Sequence, residues 1–259
     1  MKKLLWFLLL VPAACKEDSR PRFDDRPVVE AYLVPGSRAL VKVSRKVPYV
    51  KDPPLSVDSL HKLQLVLSGC GKEVTLFSIG SGLYIDSLHE LPIVYDSVYT
   101  VRFLYNNREV TASTKVPSKP TGFAASKTVL KVPDFSGGGF IDIGQYASKL
   151  TWNNPDGSYY VLSVQCLEEN PKKIDDSLDL PGFNMEPVRN GQYSLAPMMF
   201  TYLGRHRVVL NHINTELALL YDLRTGNSLD FKELPTNVNN GLGIFTAINT
   251  DTLEVEIVE

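Results

Sequence analysis

Apolar and polar residues alternate with period two from Pro27 onward. Val29, Ala31 and Leu33 share one phase against Val28, Glu30 and Tyr32. Pro35-Gly36 turns the chain, and Ala39, Val41 and Val43 share a phase again. Alternation on both sides of a Pro-Gly turn predicts a hairpin of half-buried strands. After a loop carrying Pro48, Pro53 and Pro54, residues 63–67 and 74–77 flank a Gly69-Cys70-Gly71 turn, and Gly80-Ser81-Gly82 interrupts the pattern. Residues 98–105 then place Tyr99, Val101, Phe103 and Tyr105 on one face. Asn106-Asn107 supplies a two-residue turn into 108–116, where Val110, Ala112, Thr114 and Val116 share a face. Short strands at this spacing predict a β-sandwich over residues 27–117.

Pro117-Ser118-Lys119-Pro120-Thr121-Gly122 reads as a stiff linker. Strand patterns resume at 128–132, and a Ser136-Gly137-Gly138-Gly139 tract follows. Trp152-Asn153-Asn154-Pro155 leads into 159–167, where Tyr160, Leu162, Val164 and Cys166 take the inward phase. This Trp-turn-strand unit resembles the B–C hairpin of fibronectin-type-III sandwiches. Glu168 to Asn190 is polar and reads as a long excursion, and 206–210 returns to strand. One helix is expected after Asn214, with Leu217, Leu220 and Tyr221 at i, i+3 and i+4 and Gly226 as its stop. Ile244 to Ile248 and Leu253 to Ile257 close the chain as strand. The expected fold class is mainly β: two β-sandwich domains of immunoglobulin/fibronectin-III-like type. Residues 27–117 form the first and 118–259 the second, which carries one short helix.

The first residues change the picture. Met1-Lys2-Lys3, an apolar run from Leu4 to Val11 and the small residues Pro12-Ala13-Ala14 follow the order of a secretory signal. The run falls short of the roughly 20 residues that span a bilayer. Ala13-Ala14-Cys15 also looks like a bacterial lipobox, with Pro12 where Leu is usual. Residues 1–14 then form the signal peptide, and 15–26 a lipidated Cys15 with a charged tether. Each buried lipid CH₂ contributes about 0.8 kcal/mol, so two or three acyl chains on one residue anchor permanently. Lys16-Glu17-Asp18 resembles the export signal that sends such lipoproteins to the outer face of the outer membrane, against the alternatives of a generic solvated tether or a periplasm-facing anchor.

A chain that is 44% hydrophobic is globular, not disordered. Its near-neutral formal charge of −2 offers no basic surface for nucleic acid. Cys70 sits in a tight turn and Cys166 on an inward strand phase, so both are expected as free thiols.

With these pieces placed, the chain resembles an uncharacterised family of Bacteroidota outer-membrane lipoproteins, often encoded near TonB-dependent receptors. The carrying residues are Val28-Val29-Glu30-Ala31-Tyr32, Gly82-Leu83-Tyr84, the strand pair 98–116 ending in Val116-Pro117, and above all Asn237-Val238-Asn239-Asn240-Gly241-Leu242-Gly243-Ile244-Phe245. The resemblance implies a two-part β architecture, an outer-membrane address and a TonB-dependent transporter as partner. It brings no activity. The glycines of Gly241-Leu242-Gly243 let the backbone take φ > 0 or pass close to another segment, which reads as a corner before the final strand.

Candidate chemistry is sparse. The four histidines, His61, His89, His206 and His212, fall at no zinc-site spacing. Ser81 lies between glycines, but Ile79 and Leu83 stand where a nucleophile elbow needs glycine. No glycine-rich phosphate loop precedes a helix, and Asp175, Asp176 and Asp179 read as solvated surface. No catalytic residue, metal or cofactor is expected. Partner contacts are expected at Tyr193, Tyr202, Met198 and Met199, where rings and adaptable thioethers suit a protein surface. The sequence thus points to a surface-exposed outer-membrane lipoprotein acting as a non-catalytic binding or accessory protein. A structural or adhesive envelope component is the alternative.

Overall fold

The phase of the first hairpin becomes a buried face: Val29, Ala31, Leu33, Ala39, Val41 and Val43 are none of them more than 2% exposed. The computed structural model describes residues 24–46, 60, 62–134, 142–175, 183, 185–225 and 235–259, the side chains of 222–225 aside. The signal and lipidation residues, His61, Asp176, Asp179 and the 137–139 glycines lie outside them.

The strands are β1 (Pro27–Leu33), β2 (Leu40–Arg45), β3 (Val66–Gly69), β4 (Lys72–Thr75), β5 (Phe77–Gly80), β6 (Leu83–Ile85), β7 (Val98–Tyr105) and β8 (Arg108–Lys115). After them come β9 (Ala124–Ala125), β10 (Val129–Lys131), β11 (Ser148–Thr151), β12 (Tyr159–Cys166), β13 (Gln192–Leu195) and β14 (Gly204–Ile213). Helix α1 (Thr215–Thr225), β15 (Val238–Asn239) and β16 (Leu242–Val258) complete the order. The protein is mainly β, with three sheets among the described residues. The largest runs β12-β14-β16-β1-β2-β6-β5, with β10 also on β16. The second runs β15-β8-β7-β3-β4 and the third β13-β11-β9.

Two cores result. In the first, β1, β2 and β6 face β3, β7 and β8, with Tyr84, Tyr99 and Phe245 the largest fully buried side chains. In the second, β12, β14 and the end of β16 face β11 and β13 around Leu150, Trp152, Leu162 and Leu210. Trp152 lies edge-on to Phe123 at 6.5 Å and tilted against Tyr160 at 5.6 Å. Tyr160, Leu162, Val164 and Cys166 share the inward phase predicted for them. Asn106 and Asn107 take φ of 49° and 59°, as the expected two-residue turn requires. Gly80-Ser81-Gly82, read as an interruption, is the tight turn joining β5 to β6.

The closing segment differs from its reading as two short strand patterns. Here β16 is one 17-residue strand serving both cores. Residues 242–247 run parallel to β1, and 248–257 run antiparallel to β14. Val238, Phe245 and Ala247 therefore belong to the first core, alongside residues 27–116. Alternation fails at Ile244-Phe245-Thr246-Ala247, all buried, because α1 covers the second face. Leu217 and Ala218 of the helix pack there on Ile244, Val161 and Ile213. Asn214 precedes the helix as expected, its carbonyl accepting from the N–H groups of Leu217 and Ala218. Its side-chain amide reaches β8 instead, donating to Thr114 Oγ1 at 2.9 Å and the Lys115 carbonyl at 2.8 Å.

The 117–122 segment is pinned to the second half. The Pro117 carbonyl accepts from Asn249 Nδ2 at 3.0 Å, and the Ser118 carbonyl from His212 Nδ1 at 2.8 Å. Glu216 accepts from Thr114 and Thr246 at 3.0 and 3.2 Å, tying α1 to strands of two different sheets.

Candidate functional site

The residues expected to contact a partner come from the rim of the second core. Tyr193 lies on β13, opposite Leu150 of β11. The strand ends at Leu195, and after Ala196 the residues Pro197–Met199 form one 3₁₀ turn that begins on the φ-restricted proline. Residues 201–203 then bond back to 172–174: Ile174 N–H donates to the Thr201 carbonyl at 3.0 Å, and Leu203 N–H to Lys172 at 2.8 Å. Tyr202 sits in that pairing, opposite Lys173.

These elements bring Tyr193 and Met199 together. The Tyr193 hydroxyl donates to Met199 Sδ at 3.7 Å, and the ring stands edge-on to Phe183 at 6.1 Å. Burial pushes the Tyr193 phenol up. Met198 is half-buried on the same turn. Tyr202 lies across a separate hollow from Tyr193, so the four predicted residues are neighbours but do not line one groove.

Two concavities flank this rim. The larger, about 500 Å³, is lined by Lys149, Val188, Asn190, Gln192, Tyr193 and Ser194. It takes Gln192 and Ser194 from one face of β13 and Tyr193 from the other, so it follows the outer edge of that strand. The smaller, about 190 Å³, opens between β12, β14 and the 197–202 segment, with Cys166, Met199, Tyr202 and His206 among its walls. Burial pushes the His206 imidazole down, against a contact with the Gly204 carbonyl that raises it.

A polar hollow of about 430 Å³ lies beside residues 24–26, just before β1. Asp25 accepts there from Arg45 at 2.8 Å, Tyr105 Oη at 2.9 Å and Asn106 Nδ2 at 3.1 Å. Burial alone would raise the Asp25 carboxyl, but the bonds from Arg45, Tyr105 and Asn106 outweigh it and hold the group low. Asn240 borders the same hollow, and the Asn-Gly-Leu-Gly segment forms the corner between two sheets. Val238 pairs with Ala112 in the second sheet, and Gly243 pairs with Val29 in the first.

An apolar row lies outside these hollows. Leu40 pairs with Ile85, and Ile85 with Phe77. Directly opposed residues share a face, so the three form a row across β2, β6 and β5. On the register that sets Glu30 opposite Lys42, Tyr32 extends it. Phe77 is 68% and Ile79 58% exposed, on a strand paired along one side only among the described residues.

No group of three or more His, Cys, Asp and Glu residues is placed to hold a metal among the described residues. None of their helices is long and apolar enough to cross a membrane. Comparison with protein-family models and with curated proteins returns no match. Sequence reading missed the Asp25 cluster, the apolar row and the meeting of Cys166 with His206. The last two arise from strand register, and the Asp25 cluster arises where the residues before β1 meet the ends of β2 and β7. Only Tyr32, Leu40, Phe77 and Ile79 left a local signal, as apolar residues on the outward phase.

Proposed function

We propose that this protein is an outer-membrane lipoprotein, displayed on the extracellular side, that acts as a non-catalytic binding or accessory subunit for a TonB-dependent uptake system. The observation that carries the reading is the order at the start of the chain: a basic pair, an apolar run too short to span, Ala13-Ala14-Cys15, then Lys16-Glu17-Asp18. Two facing-sheet cores of immunoglobulin/fibronectin-III-like type suit that role. Such sandwiches present loops and edges to partners while remaining rigid. The rim around Tyr193, Met198, Met199 and Tyr202 is the surface we assign to the partner, and the resemblance to Bacteroidota lipoproteins supports the receptor as its class.

Mass spectrometry of the chain isolated from membranes tests the address. Acylated Cys15 at the N-terminus is expected, and an unmodified thiol or a start downstream of it overturns the reading. Affinity purification from mildly solubilised outer membranes tests the role. It should recover a TonB-dependent receptor, and Tyr202→Ala with Met198→Ala should weaken that recovery while leaving the thermal midpoint within a few degrees.

A structural or adhesive envelope role is the second reading, and the β5 edge favours it. Phe77 and Ile79, on a strand paired along one side among the described residues, offer backbone groups and apolar side chains to an added strand. Under that reading Phe77→Lys abolishes self-association or fibre incorporation and leaves receptor recovery untouched.

A further inference from the structure

We propose that Cys166, His206 and Met199 form a binding site for a soft monovalent cation, Cu(I). Cys166 is distant in sequence from Met199 and His206, and the fold brings it to them. Cys166 on β12 is paired directly with His206 on β14. Directly opposed residues in an antiparallel pair project from the same face with Cβ atoms about 5 Å apart. Met199, at the end of the 3₁₀ turn, closes the hollow over that pair, and all three line the same space of about 190 Å³.

The histidine is prepared as a ligand. His206 Nδ1 lies 3.0 Å from the Gly204 carbonyl. A carbonyl only accepts, so the neutral ring carries its proton on Nδ1 and leaves the Nε2 lone pair free. Metal-bound imidazoles are held this way, with the second nitrogen donating to a backbone carbonyl or carboxylate. The Phe200 ring, edge-on to the imidazole at 4.8 Å, fixes its plane. Cys166 is a free, half-buried thiol, reachable from solvent. Tyr193 donates to Met199 Sδ, which orients the thioether and leaves its second lone pair available.

Ligand type decides the cation. Thiolate and thioether select Cu(I), imidazole tolerates it, and carboxylate or carbonyl oxygens suit Mg²⁺ and Ca²⁺. Among the described residues, the walls of this hollow include no carboxylate. Three ligands also fall short of the closed four-ligand shell of structural zinc. Phe183, Phe200 and Tyr202 surround the ligands with ring carbon, which restricts water and favours the lower charge. On binding, the Cys166 thiol loses its proton to solvent as the sulfur–copper bond forms, so one proton leaves for each cation bound. The site is independent of the membrane address, since none of its ligands belongs to the tether.

The test is anaerobic titration of the purified full-length chain with Cu(I), in competition with a chromophoric Cu(I) chelator. The expected result is one equivalent bound to the wild-type protein and to Cys70→Ser, and lost in Cys166→Ser. Met199→Leu keeps the packing and removes only the thioether, and it should weaken Cu(I) at least tenfold, the lower end of what losing even a supporting group costs a metal site. A readout without substitutions accompanies it: Cu(I) should block alkylation of Cys166 in the wild-type chain and leave the exposed Cys70 reactive. Retention of the equivalent in Cys166→Ser overturns the proposal. So does an unchanged affinity in Met199→Leu, or Zn(II) displacing Cu(I) at equal concentration.

Discussion

Asn237 holds Phe245 by both of its backbone polar groups. Its Oδ1 accepts from the Phe245 N–H at 3.0 Å, and its Nδ2 donates to the Phe245 carbonyl at 2.7 Å. A side chain thus caps both backbone groups of Phe245 at this corner, and a third bond runs to the Ser113 carbonyl at 3.3 Å. Phe245 is fully buried in the first core and both clamp bonds are half-buried, so losing the clamp leaves two backbone groups short of a partner where water has limited access. Leaving such groups unsatisfied costs about 1–3 kcal/mol. Asn237→Ala should lower unfolding free energy by roughly 2 kcal/mol in urea. Asn237→Asp should cost at least as much, because a carboxylate in place of Nδ2 faces the Phe245 carbonyl.

Gly243 answers a different demand of the same corner. It takes φ of 94°, and a Cβ there would lie 2.1 Å from the Val29 carbonyl oxygen. That oxygen belongs to the neighbouring backbone of β1 and cannot step aside. Gly36, in the first hairpin turn, has φ of 78° and nothing within 4 Å of an added Cβ. The pair separates strain from collision. Gly36→Ala should cost about 1 kcal/mol, while Gly243→Ala should cost on the order of 3 kcal/mol and broaden the unfolding transition. Equal costs at the two sites would mean that β16 can shift away from β1.

This corner also shows what a sequence can carry. The Asn-Asn-Gly-Leu-Gly spelling announces a turn, because asparagine and glycine tolerate left-handed backbone, and the turn is there. What it joins is not local. The parallel pairing of Val28 with Leu242 spans nearly the whole chain, and parallel partners leave no hairpin signal to read. Period-two alternation identified the inward faces of β1, β2, β7 and β8, each of which has one wet side, and of β12, where α1 covers Val161 on the outward phase. It failed at Ile244–Ala247, where α1 dries the second side and a buried Thr246 sits among apolar neighbours. The rim residues were legible by type, as aromatics and thioethers near strand ends. Their division between two hollows, and the pairing of Cys166 with His206, followed from register that no residue pattern encodes.

Acid sensitivity should trace to Asp25, just before β1. Asp25 is held low by Arg45, Tyr105 and Asn106 against its own burial, so its folded-state pKa lies below the unfolded value of 3.8. The stability it contributes is fully present above that value and is lost as pH falls through the folded one. Denaturant midpoints measured downward from neutral pH should fall below about pH 4. In Asp25→Asn that limb should flatten, at the cost of a lower midpoint at neutral pH, where the Asp25–Arg45 ion pair is lost. A variant with the full acid limb intact would place the titrating group elsewhere.

The alkaline limb should trace to Tyr99. Its hydroxyl donates to the Pro92 carbonyl at 2.6 Å and accepts from Val94 N–H at 2.9 Å, fixing the loop before β7 to the core. Cys70 Sγ, 3.3 Å away, joins the same hydroxyl from the β3–β4 turn. Burial, with Cys70 adding to it, pushes the phenol up to about 12 from its ordinary 10. A raised folded pKa means that the stability is complete below pH 10 and disappears as pH climbs toward the folded value. Ultraviolet difference titration should show one tyrosine ionising after the others, with unfolding accompanying it. Tyr99→Phe should erase that late step and cost about 2 kcal/mol at neutral pH through the two lost bonds. Amide exchange at Val94 should accelerate in the same variant, because Val94 N–H then loses its acceptor while Leu91, Ile93 and the Asp86 bonds still hold the rest of the loop. A late phenol surviving in Tyr99→Phe would assign it to another ring.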